Sequence, residues 1–277
     1  MTDFQHILVD EPLPFVSRIT LNRPESRNAL NNVLRGELYG QLEANDNNPA
    51  VKVTIIRGAG KAFCAGYDLK ANNGKHQPFH TAPGDGNWAR HVVDGFFRVW
   101  DLAKPVIAQV HGYCLAGGTE LATSCDLVYV AEDAQIGYPV VRSMSPPDNQ
   151  FFPHLLGLRN AMEMMLTGDA LTGVEAAEQG FANRAFKIDE LEANVLNIAT
   201  RIAKVPTDLQ QMNKRAVHRQ MELMGVRAAI RSGTEIQALA FHTESTQAHF
   251  KELAAGLTDA LTSRDQKFGD YRTQDDS

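Results

Sequence analysis

At 277 residues, with 43% hydrophobic and 22% charged side chains, the chain has enough apolar material for one large domain, or for a domain with a helical appendage. A formal net charge of −6 with no Lys/Arg block argues against nucleic acid or an anionic membrane as partner, while an anionic small molecule would need only a local patch. The first residues carry no basic head followed by an apolar run, no run approaches membrane-spanning length, and Cys64, Cys114 and Cys125 lack metal-type spacing. Free, buried thiols in a cytoplasmic protein are therefore expected.

Phe15 to Leu21 alternates as a strand does, and Asn22-Arg23-Pro24 ends it. Leu30, Val33, Leu34, Leu38 and Leu42 then mark one face of an amphipathic helix. Val51 to Arg57 reads as a second strand, followed by the glycine turn GAGKAFCAGYDLK (58–70) and a short helix. Residues 71–95 are irregular, and their first part is polar and rich in Gly, Pro and His; this segment reads as a lid or pocket wall. His76, His80 and His91 match no common metal spacing and are expected to be solvated loop histidines.

The stretch from Lys104 to Asp126 is the most informative. Pro105 to Val110 is an apolar strand, 112–118 a tight glycine-containing turn, and a helix opens at Thr119 and Glu120. Gly117 and Gly118 permit backbone angles and close approaches that a side chain forbids. A first helical turn leaves amide N–H groups unpaired at the positive end of the helix dipole, so the Gly117 N–H is suited to an oxygen that gains negative charge. Glu120 would place a carboxylate beside it. Packing alone also produces such turns, and Glu in a first turn also merely complements the dipole.

Further strands are expected over Asp126–Ala131 and Ile136–Val141. Thr172 and Glu175 have capping-box spacing with Gly180 as a stop. Amphipathic helices follow over Leu191–Val205, Leu209–Met224, Val226–Leu253 and Leu257–Phe268. The strand–turn–helix unit recurs with irregular spacing, which suggests strand pairs coiling around a core. The dinucleotide and P-loop glycine patterns are both absent.

Four segments carry a family resemblance: NRPESRNAL (22–30), GAGKAFCAGYDL (58–69), KPVIAQVHGYCLAGGTELATSCD (104–126) and LTGDALTGVEAAEQGF (166–181). In this order the chain resembles the enoyl-CoA hydratase/isomerase (crotonase) superfamily over nearly its whole length. The resemblance implies an α/β fold, a crotonase-like spiral of ββα units over residues 1–200, with a helical C-terminal region (201–277) that builds trimers, often paired into hexamers. It implies an acyl-CoA substrate, with no cofactor beyond the coenzyme A that the substrate carries. It assigns oxyanion donors to the backbone of Ala65 and Gly117, and coenzyme A binding to Ala29, Lys61, Ala62, Phe63 and the 65–69 stretch (Gly66, Tyr67, Asp68, Leu69).

By the same resemblance, Glu120 matches the first catalytic glutamate of the hydratases, whereas the second falls on Val140, which cannot transfer a proton. Asp148 is the nearby carboxylate and a candidate catalytic group; after Pro146-Pro147, Asp148-Asn149 reads first as a helix cap, and one residue could serve both. Tyr138, Arg142 and Ser143 are candidate pocket residues, as are Trp88, Phe151 and Phe152, for which ordinary core is the competing reading. Asp68 is read chiefly as a loop tie. The resulting expectation is hydration or dehydration of a 2-enoyl-CoA. Thioester or C–C hydrolysis, decarboxylation and double-bond isomerisation remain open on the same fold, and a non-catalytic CoA-ligand or RNA binder is the remote alternative.

Overall fold

A computed structural model describes residues 4–148 and 150–269. The elements in order are β1 (Ile7–Leu13), β2 (Val16–Leu21), α1 (Asn32–Asn47), β3 (Val53–Gly58), β4 (Ala62–Cys64), α2 (Asn87–Trp100), β5 (Val106–Val110), β6 (Tyr113–Leu115), α3 (Gly117–Ser124), β7 (Leu127–Ala131) and β8 (Gln135–Gly137). They continue with α4 (Phe152–Thr167), β9 (Leu171–Thr172), α5 (Gly173–Gln179), β10 (Arg184–Phe186), α6 (Ile188–Ala203), α7 (Thr207–Leu223), α8 (Val226–Ala240), α9 (Glu244–Ala255) and α10 (Leu257–Gln266).

Consecutive strands part company: β3, β5 and β7 enter a six-stranded sheet ordered β1-β2-β3-β5-β7-β10, while β4, β6 and β8 enter a four-stranded sheet ordered β4-β6-β8-β9. Each pair is followed by a helix, so the chain advances by one ββα turn at a time and the two sheets grow side by side. The pairings β2–β3, β3–β5, β5–β7, β4–β6 and β6–β8 are all parallel. Strands covered on both faces need no alternation, which is why β5 is buried at every position and β3 at all but Arg57.

Several expectations change here. The α1 face is made by Leu34, Leu38 and Leu42, with Val33 exposed. No helix follows the first glycine turn: residues after Tyr67 form turns, and the next helix, α2, starts inside the segment read as irregular. The Ile136–Val141 strand is only β8, because Pro139 opens a 3-10 turn over Pro139–Arg142. The long Val226–Leu253 helix breaks at Phe241-His242, and the Thr243 side chain caps α9 by accepting from the Thr246 N–H. The Thr172/Glu175 capping box and the left-handed Gly180 stop are present as read.

Candidate active site

The two glycine turns meet. A Cβ on Gly66 (φ +103) would stand 2.8 Å from the Ala116 Cβ and 3.1 Å from the Gly117 nitrogen, so the contact requires glycine. On the other side a Cβ on Gly118 would fall 2.2 Å from the Cys64 carbonyl oxygen, and one on Gly117 would fall 2.8 Å from the Tyr67 ring. Both glycines are nevertheless helical. The left-handed φ of 50° belongs to Ala116, just ahead of α3, a strain of roughly 1–3 kcal/mol for a non-glycine residue that close packing must hold.

Ala65 is not the expected donor. Its N–H donates to the carbonyl oxygen of Arg27 at 3.0 Å. Leu30 then pairs with the following stretch, its N–H donating to the Gly66 carbonyl (2.7 Å) and its carbonyl accepting from the Asp68 N–H (3.0 Å). In an extended segment neighbouring amides point to opposite sides. The Tyr67 N–H therefore turns away from Leu30 and has no partner among the described residues. Gly117 opens α3, where the first amides lack an intrahelical acceptor. The amides that border the pocket together are thus those of Tyr67 and Gly117.

The pocket has a volume of about 440 Å³. Tyr67, Asp68, Leu69, Trp88 and Tyr138 border it, as does Val140 at the place of the second hydratase glutamate. Of the predicted binding residues, Ala29, Lys61, Ala62, Phe63 and Gly66 do not. Ala62 and Phe63 are wholly buried in β4, and the Ala29 carbonyl accepts from Arg23 Nη1 at 2.6 Å. The Lys61 carbonyl packs under Gly112, and Gly66 is taken up by the contact between the turns. Asp68 ties its loop, accepting from Arg23 Nη2 (2.9 Å) and from the Lys70 N–H (2.9 Å).

Glu120 lies in the first turn of α3, fully buried. Asp148 borders the pocket at 3% exposure, and its Oδ1 has no hydrogen-bond partner among the described residues. It is not the cap of α4, which starts at Phe152 with Phe151 at the N-cap position and no side-chain cap bond. Asn149 lies outside the described residues. Burial pushes the Asp148 carboxyl up to about 7, against the pull of the Arg35 guanidinium and a backbone hydrogen bond. Burial also holds the Tyr67 and Tyr138 phenols well above their ordinary value, with Glu120 and Asp148 adding to the rise in both. Each of the two phenols thus lies within electrostatic reach of both Glu120 and Asp148.

Sequence reading missed Arg35, which is 1% exposed and sits 5.7 Å from the Tyr67 ring centre and 5.5 Å from that of Trp88. Its Nη1 donates to Asn32 Oδ1, while Nε and Nη2 have no partner among the described residues. The available signal was its position beside Leu34 and Leu38 on the apolar side of α1. The C-terminal helices were missed as pocket walls: Gln237, Phe241, Phe250 and Leu261 all border the cavity.

Other candidates fall away. Arg142 binds the Thr167 carbonyl and Asp169, while Phe151 and Phe152 are core. Neither Arg142 nor Ser143 borders the pocket. His91 is not a loop histidine: it is buried on α2, stacked on Phe79 and hydrogen-bonded to the Thr81 hydroxyl, and burial lowers it to about 4. The three cysteines are free and buried, and burial raises the Cys64 thiol to about 12. Among the described residues no cluster of His, Cys, Asp and Glu could hold a metal ion, and no helix is long and apolar enough to cross a membrane.

The ββα spiral and its two touching turns define a protein of the crotonase superfamily. The family model for enoyl-CoA hydratase/isomerase matches residues 15–270. The chain is 34% identical over 232 residues to a mevalonyl-coenzyme A hydratase of Aspergillus fumigatus, covering 81% of this chain and 83% of that one. It is 36% identical over 211 residues to a probable enoyl-CoA hydratase of Rhizobium meliloti, covering 75% and 79%. Among solved structures, an enoyl-CoA hydratase from Mycobacterium smegmatis superposes with a TM-score of 0.88 at 32% identity, covering 98% and 97%. An enoyl-CoA hydratase/isomerase from Xanthobacter autotrophicus Py2 gives 0.87 at 35%, covering 97% and 100%. The chain belongs to the enoyl-CoA hydratase/isomerase family.

Proposed function

We propose that this protein is an acyl-CoA lyase that adds water to, or removes it from, a 2-enoyl-CoA. The observation that carries this reading is the meeting of two unpaired amides with two buried carboxylates, Glu120 and Asp148, about one pocket. The thioester oxygen accepts from the Tyr67 and Gly117 N–H groups. These donors are fixed before reaction, so they gain most when the oxygen becomes an enolate oxyanion; one such donor is worth about 3 to 4 kcal/mol at the transition state.

Glu120 accepts a proton from water as the water oxygen bonds to C3, the C2–C3 double bond shifts its electrons toward the thioester carbonyl, and the enolate is then protonated at C2. Asp148, half protonated near neutral pH, supplies that proton and stands in for the glutamate that Val140 replaces. Coenzyme A enters as part of the substrate and no separate cofactor is used.

The supporting experiment follows loss of the conjugated thioester absorbance of crotonyl-CoA. Wild type should turn over. Glu120→Gln and Asp148→Asn should each lose about 10²-fold or more in kcat. Unchanged turnover in Asp148→Asn would remove Asp148 from the mechanism, and an inert wild type that binds CoA esters would remove hydration.

The assembly is a homotrimer or homohexamer in the cytoplasm, with the 201–277 helices as its contact region beyond the 1–200 spiral. The exposed Leu209, Met212, Val217 and Leu223 on α7, with Met224 after it, support this role. Sedimentation of the purified chain tests it, and a monomer would overturn it.

A further inference from the structure

Helix α8 lays one stripe on the body of the molecule: Val226, Ile230, Gly233, Thr234 and Gln237 are buried along it, at the spacing of a core-facing helix. The two polar members of that stripe differ. The Thr234 hydroxyl donates to the Ile230 carbonyl at 2.9 Å, satisfying itself within the helix. Gln237 is only 2% exposed, and its Oε1 has no hydrogen-bond partner among the described residues. A buried amide oxygen left open is uncommon unless something else fills its hydrogen bonds.

What faces it is the acyl pocket. Gln150 packs on Gly233, and Phe151 clusters with Val226 and Ile230, so α8 is docked on the segment that carries Asp148. One turn beyond Gly233, Gln237 borders the same cavity as Asp148, whose Oδ1 is also open. Val140, Met144, Phe241 and Phe250 give this wall its apolar part, and Ser145, Arg264 and Asp265 also border the cavity. An alkyl chain in this space would leave the amide unpaired, whereas a hydroxyl would fill it and be desolvated at little loss.

We propose that Gln237 is a specificity-determining residue that receives a hydroxyl group borne on the acyl chain beyond the two reacting carbons. The substrate class is then hydroxylated 2-enoyl thioesters of coenzyme A rather than plain alkyl ones. This rests on the acyl-CoA reading of the pocket.

The test measures binding of unreactive, saturated thioesters by calorimetry: a series of alkanoyl-CoA esters and their ω-hydroxy counterparts, matched in length, against the full-length protein. At the chain length that reaches Gln237, the hydroxylated ester should bind about 10-fold tighter than its alkyl partner, the effect of one well-made hydrogen bond. Gln237→Met, nearly the same shape without the amide, should close that gap by tightening the alkyl ester and weakening the hydroxylated one. Alkyl esters binding as tightly as hydroxylated ones at every length would overturn the proposal while leaving the acyl-CoA reading intact. A gap that survives in a folded Gln237→Met variant would assign the recognition elsewhere and overturn it too. Failure of every thioester to bind would bring down both readings.

Discussion

Replacing Asp148 by Asn should make the protein more stable at alkaline pH while it removes activity. In the folded state the Asp148 carboxyl sits near 7 rather than its ordinary 3.8, because ionising it inside the pocket wall costs hydration that the Arg35 charge only partly returns. The folded protein thus holds this proton more tightly than the unfolded chain does. The associated stability is complete below about pH 4 and declines as pH rises, disappearing above about pH 7. With about 1.4 kcal/mol for each pH unit between the two values, the decline amounts to at most about 4 kcal/mol.

An asparagine is nearly isosteric and cannot titrate, so the variant should lack this decline. Urea unfolding of both proteins at pH 4 and pH 8, at one fixed protein concentration so that any assembly contributes equally, gives the comparison. The stability difference, variant minus wild type, should rise by up to about 4 kcal/mol between those two pH values. Curves that stay parallel across the range would refute a desolvated carboxyl at this site, and with it the idea of Asp148 as a proton reservoir.

Other outcomes follow from the same geometry. If protonated Asp148 is the donor to C2, wild-type turnover should fall as pH rises through about 7, and Asp148→Asn should lose that limb from its pH profile. Gly117→Ala places a methyl 2.8 Å from the Tyr67 ring and should displace the paired amides; the expected loss in kcat is about 10²-fold or more with far-ultraviolet circular dichroism unchanged, and a fully active variant would put the thioester oxygen elsewhere. The cysteines, all buried, with Cys64 raised to about 12, should ignore a thiol-specific disulfide reagent at pH 8 in the native protein and react once unfolded; rapid labelling of the native protein would contradict the burial.

What the chain determined locally is what short-range physics controls. Parallel strands announce themselves as apolar runs, and the Thr172/Glu175 box and Gly180 stop act within one or two turns of helix. The four motifs likewise made the ββα spiral legible, and placed Gly117 and Glu120 at the start of a buried helix. Backbone hydrogen bonding was not legible. Motif position pointed to Ala65, but its N–H is consumed by a carbonyl far upstream at Arg27, and only the pairing of Leu30 with Gly66 and Asp68 leaves the Tyr67 amide open.

The rest of the site came from contacts that span the chain. Asp148 precedes α4 and reads as a cap in sequence. It becomes a pocket group because its segment is held by α8 through Gly233 and Ile230, and by α9 through the Thr246 hydroxyl on the Met144 carbonyl. Arg35 and Gln237 fall on the buried faces of their helices, beside Leu34 and Leu38 and beside Ile230 and Thr234, but only packing shows that their polar atoms end against Tyr67 and at the cavity. A residue's type and spacing set its local conformation. Whether its polar atoms end in water, in a hydrogen bond or at a substrate depends on which distant elements close over it, and that is a property of the tertiary structure alone.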